Sequence, residues 1–117
     1  MEIAIIDYKN TAIAKVSSTT RISSVQDATD LLGNASYLGA DRIMINENNL
    51  APEFFDLSTK LAGEILQKVS NYHKKLVIIG EFEKYSSEAL KAFILECNRG
   101  AHIFFVDSEA EALEKLV

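Results

Sequence analysis

The apolar run at residues 76–80 constrains the fold of this 117-residue chain more than any other stretch. Its continuous branched side chains indicate a central strand that is covered on both faces. Other short apolar runs lie at residues 3–6, 12–17, 42–46 and 102–106. A segment with apolar residues at helical spacing follows every run except the first. The sequence therefore predicts strands that alternate with helices.

Serine and aspartate residues mark where the helices should begin, because their side chains accept hydrogen bonds from the unpaired N–H groups of a first helical turn. These residues are Ser24 with Asp27, Asp56 with Ser58 and Thr59, Ser86 or Ser87, and Ser108 with Glu111. We expect the second helix to run from about Leu57 to His73. Gly63 lies inside it, and the close approach of a neighbouring element would explain a glycine there.

The element order predicted from these patterns is β-β-α-β-α-β-α-β-α. Turn-forming residues at positions 8–11 join the first two strands as a hairpin, so the first strand should be an antiparallel edge. The remaining alternation implies right-handed crossovers. We therefore predict a single α/β domain over residues 1–117, with a mostly parallel five-stranded sheet between helix layers.

The charge balance argues against two classes of partner. The chain has 12 basic and 17 acidic residues and a net charge of −5, whereas nucleic-acid binders carry a basic excess on one face. The cluster of Lys68, His73, Lys74 and Lys75 is interpreted as a solvated helix end, where cations are favoured. We expect neither nucleic acid nor a membrane to be a partner.

Cysteine and histidine usage gives no sign of a disulfide or a metal site. Cys97 is the only cysteine, so no internal disulfide can form. His73 and His102 have no ligand spacing with each other or with Cys97. Because the sequence shows no signal segment, no membrane-length run and no phosphate-binding glycine motif, we expect a cytoplasmic protein without metal or cofactor.

The most prominent candidate site is the entrance of the second helix. Asp56, Ser58 and Thr59 could bind an anion or accept a phosphate there, because the unpaired N–H groups of a helix favour negative charge. The alternative is plain N-capping, for which these residue types are preferred in any protein.

Four aromatic residues flank this entrance and the loop after residues 76–80: Phe54, Phe55, Phe82 and Tyr85. If they are exposed together, they would form an interaction patch. The alternative is that they fill the end of the sheet, because large aromatic side chains dominate buried cores.

Polar residues follow the third, fourth and fifth strands, namely Asn46, Glu47, Gly80, Glu81 and Asp107. Ligands of open α/β sheets bind outside the carboxyl ends of the strands. This rim is acidic, so it would repel a bare phosphate and suit a metal or another cation. The alternative is a set of ordinary polar loops.

Motifs that span nearly the whole chain lie at residues 41–43, 54–57, 60–68, 75–80, 93–94, 96–100 and 103–106. Together they resemble an uncharacterised bacterial family, the domain of unknown function numbered 4180. That family has no assigned activity, so the resemblance implies a fold and no reaction.

A second resemblance lies at residues 55–59, which occupy the place of the Asp-Ser-Ser/Thr-Gly motif in STAS domains of anti-sigma factor antagonists. The element order is also similar to that family. A serine of the STAS motif is phosphorylated by a partner kinase, so the resemblance implies an interaction domain regulated in this way. Here Leu57 stands where that serine would be, Ser58 matches the next residue, and Thr59 replaces the glycine.

We expect a non-catalytic regulatory or protein-interaction module. Its unidentified protein partner would dock on Phe54, Phe55 and Tyr85, and modification at Ser58 or Thr59 would tune the contact. A homodimer is also compatible with the sequence. The alternatives are a binder of a small ligand and a small enzyme, both of which would use the rim. An enzyme should show a concave pocket with a strongly perturbed titrating group, whereas a docking module should not.

Overall fold

The computed structural model describes residues 1–117 and contains five strands and four α-helices. The strands are β1 (Ile3–Tyr8), β2 (Thr11–Val16), β3 (Arg42–Asn46), β4 (Lys75–Ile79) and β5 (Ile103–Val106). The helices are α1 (Val25–Tyr37), α2 (Leu61–Asn71), α3 (Glu88–Arg99) and α4 (Glu109–Leu116). The predicted order of strands and helices is confirmed. None of the helices combines the length and the hydrophobicity that a membrane span requires.

The five strands form one sheet in the sequential order β1-β2-β3-β4-β5. β1 runs antiparallel to β2, and the other three neighbouring pairs are parallel. The sheet is therefore mixed, which corrects the prediction of a mostly parallel sheet. The antiparallel edge strand follows from a two-residue hairpin turn, in which Lys9 and Asn10 adopt positive φ values of 49° and 63°. Positive φ at both central residues is the requirement of a type I′ turn.

Helices cover the two faces of the sheet unequally. Helices α1, α2 and α3 pack on one face in a core of 20 buried residues, and α4 alone packs on the other in a core of 7. Each crossover connects a strand to its immediate neighbour in the same direction, and right-handed crossovers then place every connecting helix on the same side. The predicted helix layers are both present, but the second consists of α4 only.

Helix α2 begins later than predicted. Residues Leu57–Thr59 form a 3₁₀ turn, and Lys60 follows with a φ of 68°, in the left-handed region. A right-handed helix cannot continue through that conformation, so α2 starts at Leu61. Gly63, which was expected to lie against a neighbouring element, faces open space instead, because a Cβ added there would have no atom within 4 Å.

Lys74 is buried, which corrects the interpretation of the basic cluster as a solvated helix end. Its side chain is 6% exposed, and its Nζ lies 2.7 Å from Asp41 Oδ1. The hydrogen bond and the charge of Lys74 hold the pKa of the Asp41 carboxyl below its ordinary value. The pair joins the residue before β4 to the residue before β3, so Lys74 has a structural role.

Candidate functional site

The side chain of Glu47, just after β3, lies across Gly80, just after β4. A Cβ on Gly80 would lie 2.8 Å from Glu47 Cδ and 2.9 Å from Glu47 Cβ and Cγ, which is closer than side chains normally approach. Only glycine permits this contact. Asn46, Glu81 and Asp107 line the same cleft, so the structure brings the predicted rim residues together.

Both oxygens of the Glu47 carboxylate have polar partners, and the Glu47 side chain is 12% exposed. It accepts hydrogen bonds from the Glu81 N–H at 3.0 Å and the Tyr85 hydroxyl at 3.3 Å, and Lys84 Nζ lies 2.9 Å away. Burial alone would raise the pKa of Glu47, but these donors together lower it below its ordinary value. Glu47 is thus an ionised residue that fixes the loop after β4.

Two open clefts lie at the carboxyl ends of the strands and share four residues: Gly80, Glu81, Lys84 and Asp107. One cleft, of about 550 Å³, reaches Asn98 on α3 and Glu111 on α4. The other, of about 490 Å³, reaches the residues after β3. Burial and a hydrogen bond with Asp107 raise the pKa of Glu111. No three His, Cys, Asp or Glu side chains are grouped so that they could hold a metal ion.

The aromatic residues join the segment before α2 to the loop after β4. The rings of Phe55 and Tyr85 stack with a centroid distance of 4.9 Å and an interplanar angle of 14°. Phe82 lies 6.2 Å from Phe55 and 5.1 Å from Phe105 of β5. Phe55, Phe82 and Tyr85 are half-buried. The stack therefore shows part of its surface to solvent and anchors the rest in the core.

Phe54 does not belong to the exposed part of this group. It is fully buried, and its ring centroid lies 5.1 Å from that of Phe55 and 6.3 Å from that of Phe105. The expectation that Phe54 docks a partner is corrected, because no partner can contact it directly. Phe54 fills the end of the sheet, which was the alternative interpretation.

Asp56, Ser58 and Thr59 are exposed. Asp56 caps the 3₁₀ turn, and the Thr59 hydroxyl oxygen accepts a hydrogen bond from the N–H of Leu61, the first residue of α2, at 3.3 Å. Asp56 Oδ1 accepts hydrogen bonds from the Ser58 hydroxyl at 2.6 Å and the Ser58 N–H at 3.0 Å, and these bonds lower the pKa of Asp56. The Thr59 hydroxyl oxygen lies 2.7 Å from the Glu53 carbonyl oxygen. Because Lys60 separates this turn from α2, the expectation that these residues open the second α-helix is wrong.

Asn49 is a buried residue that the sequence analysis missed. Its Nδ2 donates to the carbonyl oxygens of Ser17 at 2.9 Å and Thr20 at 2.8 Å, and its Oδ1 accepts the Asn46 N–H at 2.9 Å. The loop after β2 is thereby fastened to the end of β3, beneath the rim. The neighbouring Asn48 is exposed, and no sequence signal distinguishes the two asparagines.

Asn98 is a second missed residue. Its Oδ1 accepts the Phe105 N–H at 2.7 Å, and its Nδ2 donates to the Phe105 carbonyl oxygen at 3.3 Å. Strand β5 has a neighbour on one side only, so this side chain covers its free edge. The adjacent Cys97 is buried, and burial together with the charge of Glu96 raises the pKa of its thiol to about 11. The thiol is protonated at neutral pH and is a poor nucleophile.

Comparison with known protein families identifies the family to which the chain belongs. The family model described as "Domain of unknown function (DUF4180)" matches residues 8–116. The chain belongs to this family. The match extends from the end of β1 into α4, so the DUF4180 region contains the Glu47–Gly80 contact, the Phe55–Tyr85 stack and both clefts. No curated protein and no solved structure matches this DUF4180 chain.

Proposed function

We propose that this DUF4180 protein is a non-catalytic regulatory module, of STAS-like type, that docks a protein partner. Its docking surface consists of residues 52–60 and 81–87, here called the paired-loop surface. The observation that carries the proposal is the stack of Phe55 on Tyr85, because it joins two loops that α2 and β4 separate in sequence. Partly exposed aromatic side chains are enriched in protein interfaces.

The titrating groups in and beneath this surface support binding over catalysis. Hydrogen bonds lower the pKa of Asp56, and the donors around Glu47 lower its pKa despite burial. Burial and the charge of Glu47 raise the pKa of Tyr85. An efficient general acid or base has a pKa near the operating pH, and each of these shifts moves the group away from neutrality. The groups therefore serve to hold the two loops in place.

Ser58 offers a position at which modification would change the paired-loop surface. Its exposed hydroxyl lies 2.6 Å from Asp56 Oδ1. Phosphorylation would replace this hydrogen bond with repulsion between a phosphate and a carboxylate. The 3₁₀ turn would open and displace Phe55 from Tyr85. The STAS resemblance agrees with this mechanism, with Leu57 at the acceptor position shifting the modified residue to Ser58 or Thr59.

Affinity purification from the source cells tests the proposal with four baits: wild type, Tyr85→Ala, Ser58→Asp and Tyr37→Ala. Tyr37 is 90% exposed and lies outside the paired-loop surface, so it provides the matched control for Tyr85. We expect one protein that wild type and Tyr37→Ala recover and that Tyr85→Ala and Ser58→Asp lose. When that partner is purified, it should bind wild type and Tyr37→Ala more tightly than Tyr85→Ala and Ser58→Asp. Equal recovery of every protein by all four baits would contradict the proposal.

A binder of a small cationic ligand, or a small enzyme acting on one, is the second candidate. The observation in its favour is that Asp107 and Glu111 both line the larger cleft, where burial and the neighbouring Asp107 raise the pKa of Glu111. A bound cation would reduce the repulsion between the two carboxyl groups. Thermal-shift measurements with divalent cations and diamines should raise the Tm of wild type more than that of Glu111→Gln. If none of these ligands raises the Tm of wild type, this candidate is ruled out.

A further inference from the structure

Strand β1 has one free edge, and its backbone groups alternate in direction. The Ser17 N–H donates to the Glu2 carbonyl oxygen at 2.9 Å, and Ile3 is paired with Val16. Because hydrogen-bonded pairs alternate along an antiparallel ladder, Ala4 and Ile6 also bond β2. The N–H and C=O groups of Ile3, Ile5 and Asp7 therefore point away from the sheet.

This edge has few of the features that normally protect an edge strand, and Asp7 is its only charged residue. Six consecutive residues pair with β2 without a bulge, and the strand Ile3–Tyr8 contains neither proline nor lysine. Ala4 is exposed, and Ile5 is 43% exposed. The opposite edge differs, because the Asn98 side chain occupies the N–H and C=O groups of Phe105. An uncovered apolar edge is a template for pairing with another strand.

We propose that β1 pairs antiparallel with β1 of a second copy of this chain, with the two-fold axis at Ile5. In this register Ile5 lies opposite Ile5 of the second copy, and Ile3 lies opposite Asp7 of the second copy. Every outward N–H of these residues then meets an outward C=O. The two sheets become one continuous ten-stranded sheet, in which the exposed Ile5 side chains cover each other.

The charges along β1 do not oppose this self-pairing. No two like charges lie opposite each other, since Asp7 faces Ile3 and Glu2 faces Tyr8 of the second copy. Glu2 is also brought next to Lys9 of the second copy, whose Nζ lies 3.4 Å from Glu114 Oε1 of its own chain. Opposite charges across a ladder are stabilising, whereas directly opposed like charges destabilise it.

The dimer leaves the paired-loop surface free. Strand β1 lies at one edge of the sheet, and the aromatic residues of the paired-loop surface contact Phe105 in β5 at the other edge. A dimer would therefore present two docking surfaces, one at each end of the extended sheet. The inference does not depend on the proposed docking function, because it uses different residues.

Light scattering coupled to size-exclusion chromatography tests the dimer. We expect wild type to elute with twice its 13.0 kDa mass and to dissociate on dilution. Ile5→Lys should be monomeric, because it places two ammonium groups opposite each other on the two-fold axis. Leu95→Lys is the matched control, since Leu95 is 52% exposed on α3, and it should remain dimeric. A monomeric wild type, or a dimeric Ile5→Lys variant, would overturn the proposal.

A crosslinking experiment tests the register without introducing a charge. Hydrogen-bonded antiparallel partners have Cα atoms about 5.5 Å apart, which is within the range of a disulfide. Ile5→Cys should therefore form a disulfide-linked dimer on mild oxidation, whereas Leu95→Cys should not. Cys97 does not compete, because it is buried and its pKa is raised to about 11. Equal crosslinking of the two variants, or none in Ile5→Cys, would show that the strands do not meet at this residue.

Discussion

The rim at the carboxyl ends of the strands should not tolerate even one carbon atom added at Gly80. A Cβ there would lie 2.8–2.9 Å from three carbons of the Glu47 side chain, which is already bonded to Glu81 and Tyr85. Gly80→Ala would force Glu47 out of that position. We expect the free energy of unfolding to fall by about 1–3 kcal/mol, the usual cost of overpacking. Urea unfolding monitored by circular dichroism measures it.

Gly63→Ala is the matched control for this substitution. The added methyl group meets no atom within 4 Å, and alanine is favoured over glycine inside a helix by about 1 kcal/mol. The same chemical change should therefore stabilise the protein at Gly63 and destabilise it at Gly80. In a Glu47→Gly background, Gly80→Ala should lower the free energy of unfolding by less than it does in wild type. An equal decrease in both backgrounds would mean that Glu47 is not the obstacle.

Asn49 is the second residue whose loss we expect to be severe. Asn49→Ala would leave the Ser17 and Thr20 carbonyl groups and the Asn46 N–H without their partner at a partly buried site. A buried unsatisfied polar group costs about 1–3 kcal/mol, so we expect a loss of about 2–4 kcal/mol in urea unfolding. Asn48→Ala, at an exposed neighbour, should change stability by less than about 0.5 kcal/mol. Similar effects of the two substitutions would refute the assigned role of Asn49.

At the scale of residues, the sequence indicated where the rim residues lie but not what surrounds them. Strand ends are visible in apolar runs, so Glu47 and Gly80 could be assigned to the same edge of the sheet. The contact between them depends on one side-chain conformation, which spacing does not encode. The burial of Phe54 beside the half-exposed Phe55 depends on the local turn of the chain, and adjacent phenylalanines look identical in a sequence.

At the scale of elements, Asn98 should protect the free edge of β5 from solvent and from amide hydrogen exchange. Asn98→Ala would remove both hydrogen bonds to Phe105, and we expect a loss of about 1–3 kcal/mol. Faster amide hydrogen exchange at Phe105, measured by NMR, is the specific readout. Asn98→Asp keeps the acceptor for the Phe105 N–H, so it should preserve more protection than Asn98→Ala. Unchanged exchange at Phe105 in Asn98→Ala would contradict this role.

The beginnings of three helices were predictable, and that of α2 was not. Ser24, Ser87 and Ser108 accept the hydrogen bonds expected of N-cap residues. The break before α2 occurs at Lys60, whose φ of 68° is unusual for a lysine. A glycine or an asparagine at this position would have been a signal for the left-handed conformation. Residues on both sides continue a helical pattern, so the pattern alone extends the helix too far.

At the scale of the whole molecule, acid should destabilise the fold through its carboxylates. Five carboxyl groups have lowered pKa values: Asp27, Asp41, Glu47, Asp56 and Glu114. Their contributions are present above the ordinary values of 3.8 for Asp and 4.5 for Glu, and are lost as the pH falls through the lower folded-state values. Glu111, whose pKa is raised, acts in the opposite direction.

Urea midpoints across the pH range measure this acid sensitivity. We expect a nearly constant midpoint from about pH 7 to about pH 5 and a clear decrease by about pH 3.5, because the unfolded chain then binds more protons. Glu47→Gln removes one of the responsible groups, so its midpoint should decrease less over the same interval. A wild-type midpoint that is equal at the two ends of the range would contradict the assigned pKa shifts.

The number and order of strands and helices were predictable from the sequence, but the sheet as a whole was not. Apolar runs and helical periodicity identify elements without stating which strands are neighbours. Once the sequential strand order is known, the position of α1, α2 and α3 on one face follows from the handedness of crossovers. The handedness rule does not determine the position of α4, because α4 does not connect two strands of the sheet.

The sequential strand order also has a consequence for synthesis on the ribosome. Each new strand leaves the exit tunnel after the strand that it will join, and none has to enter between two that are already joined. Helix α4 leaves the tunnel after all five strands. Ile13, Met44 and Val77 stay uncovered until α4, which contains Leu116, has left the tunnel. Nascent chains stalled before that point are the ones that holdase chaperones would retain.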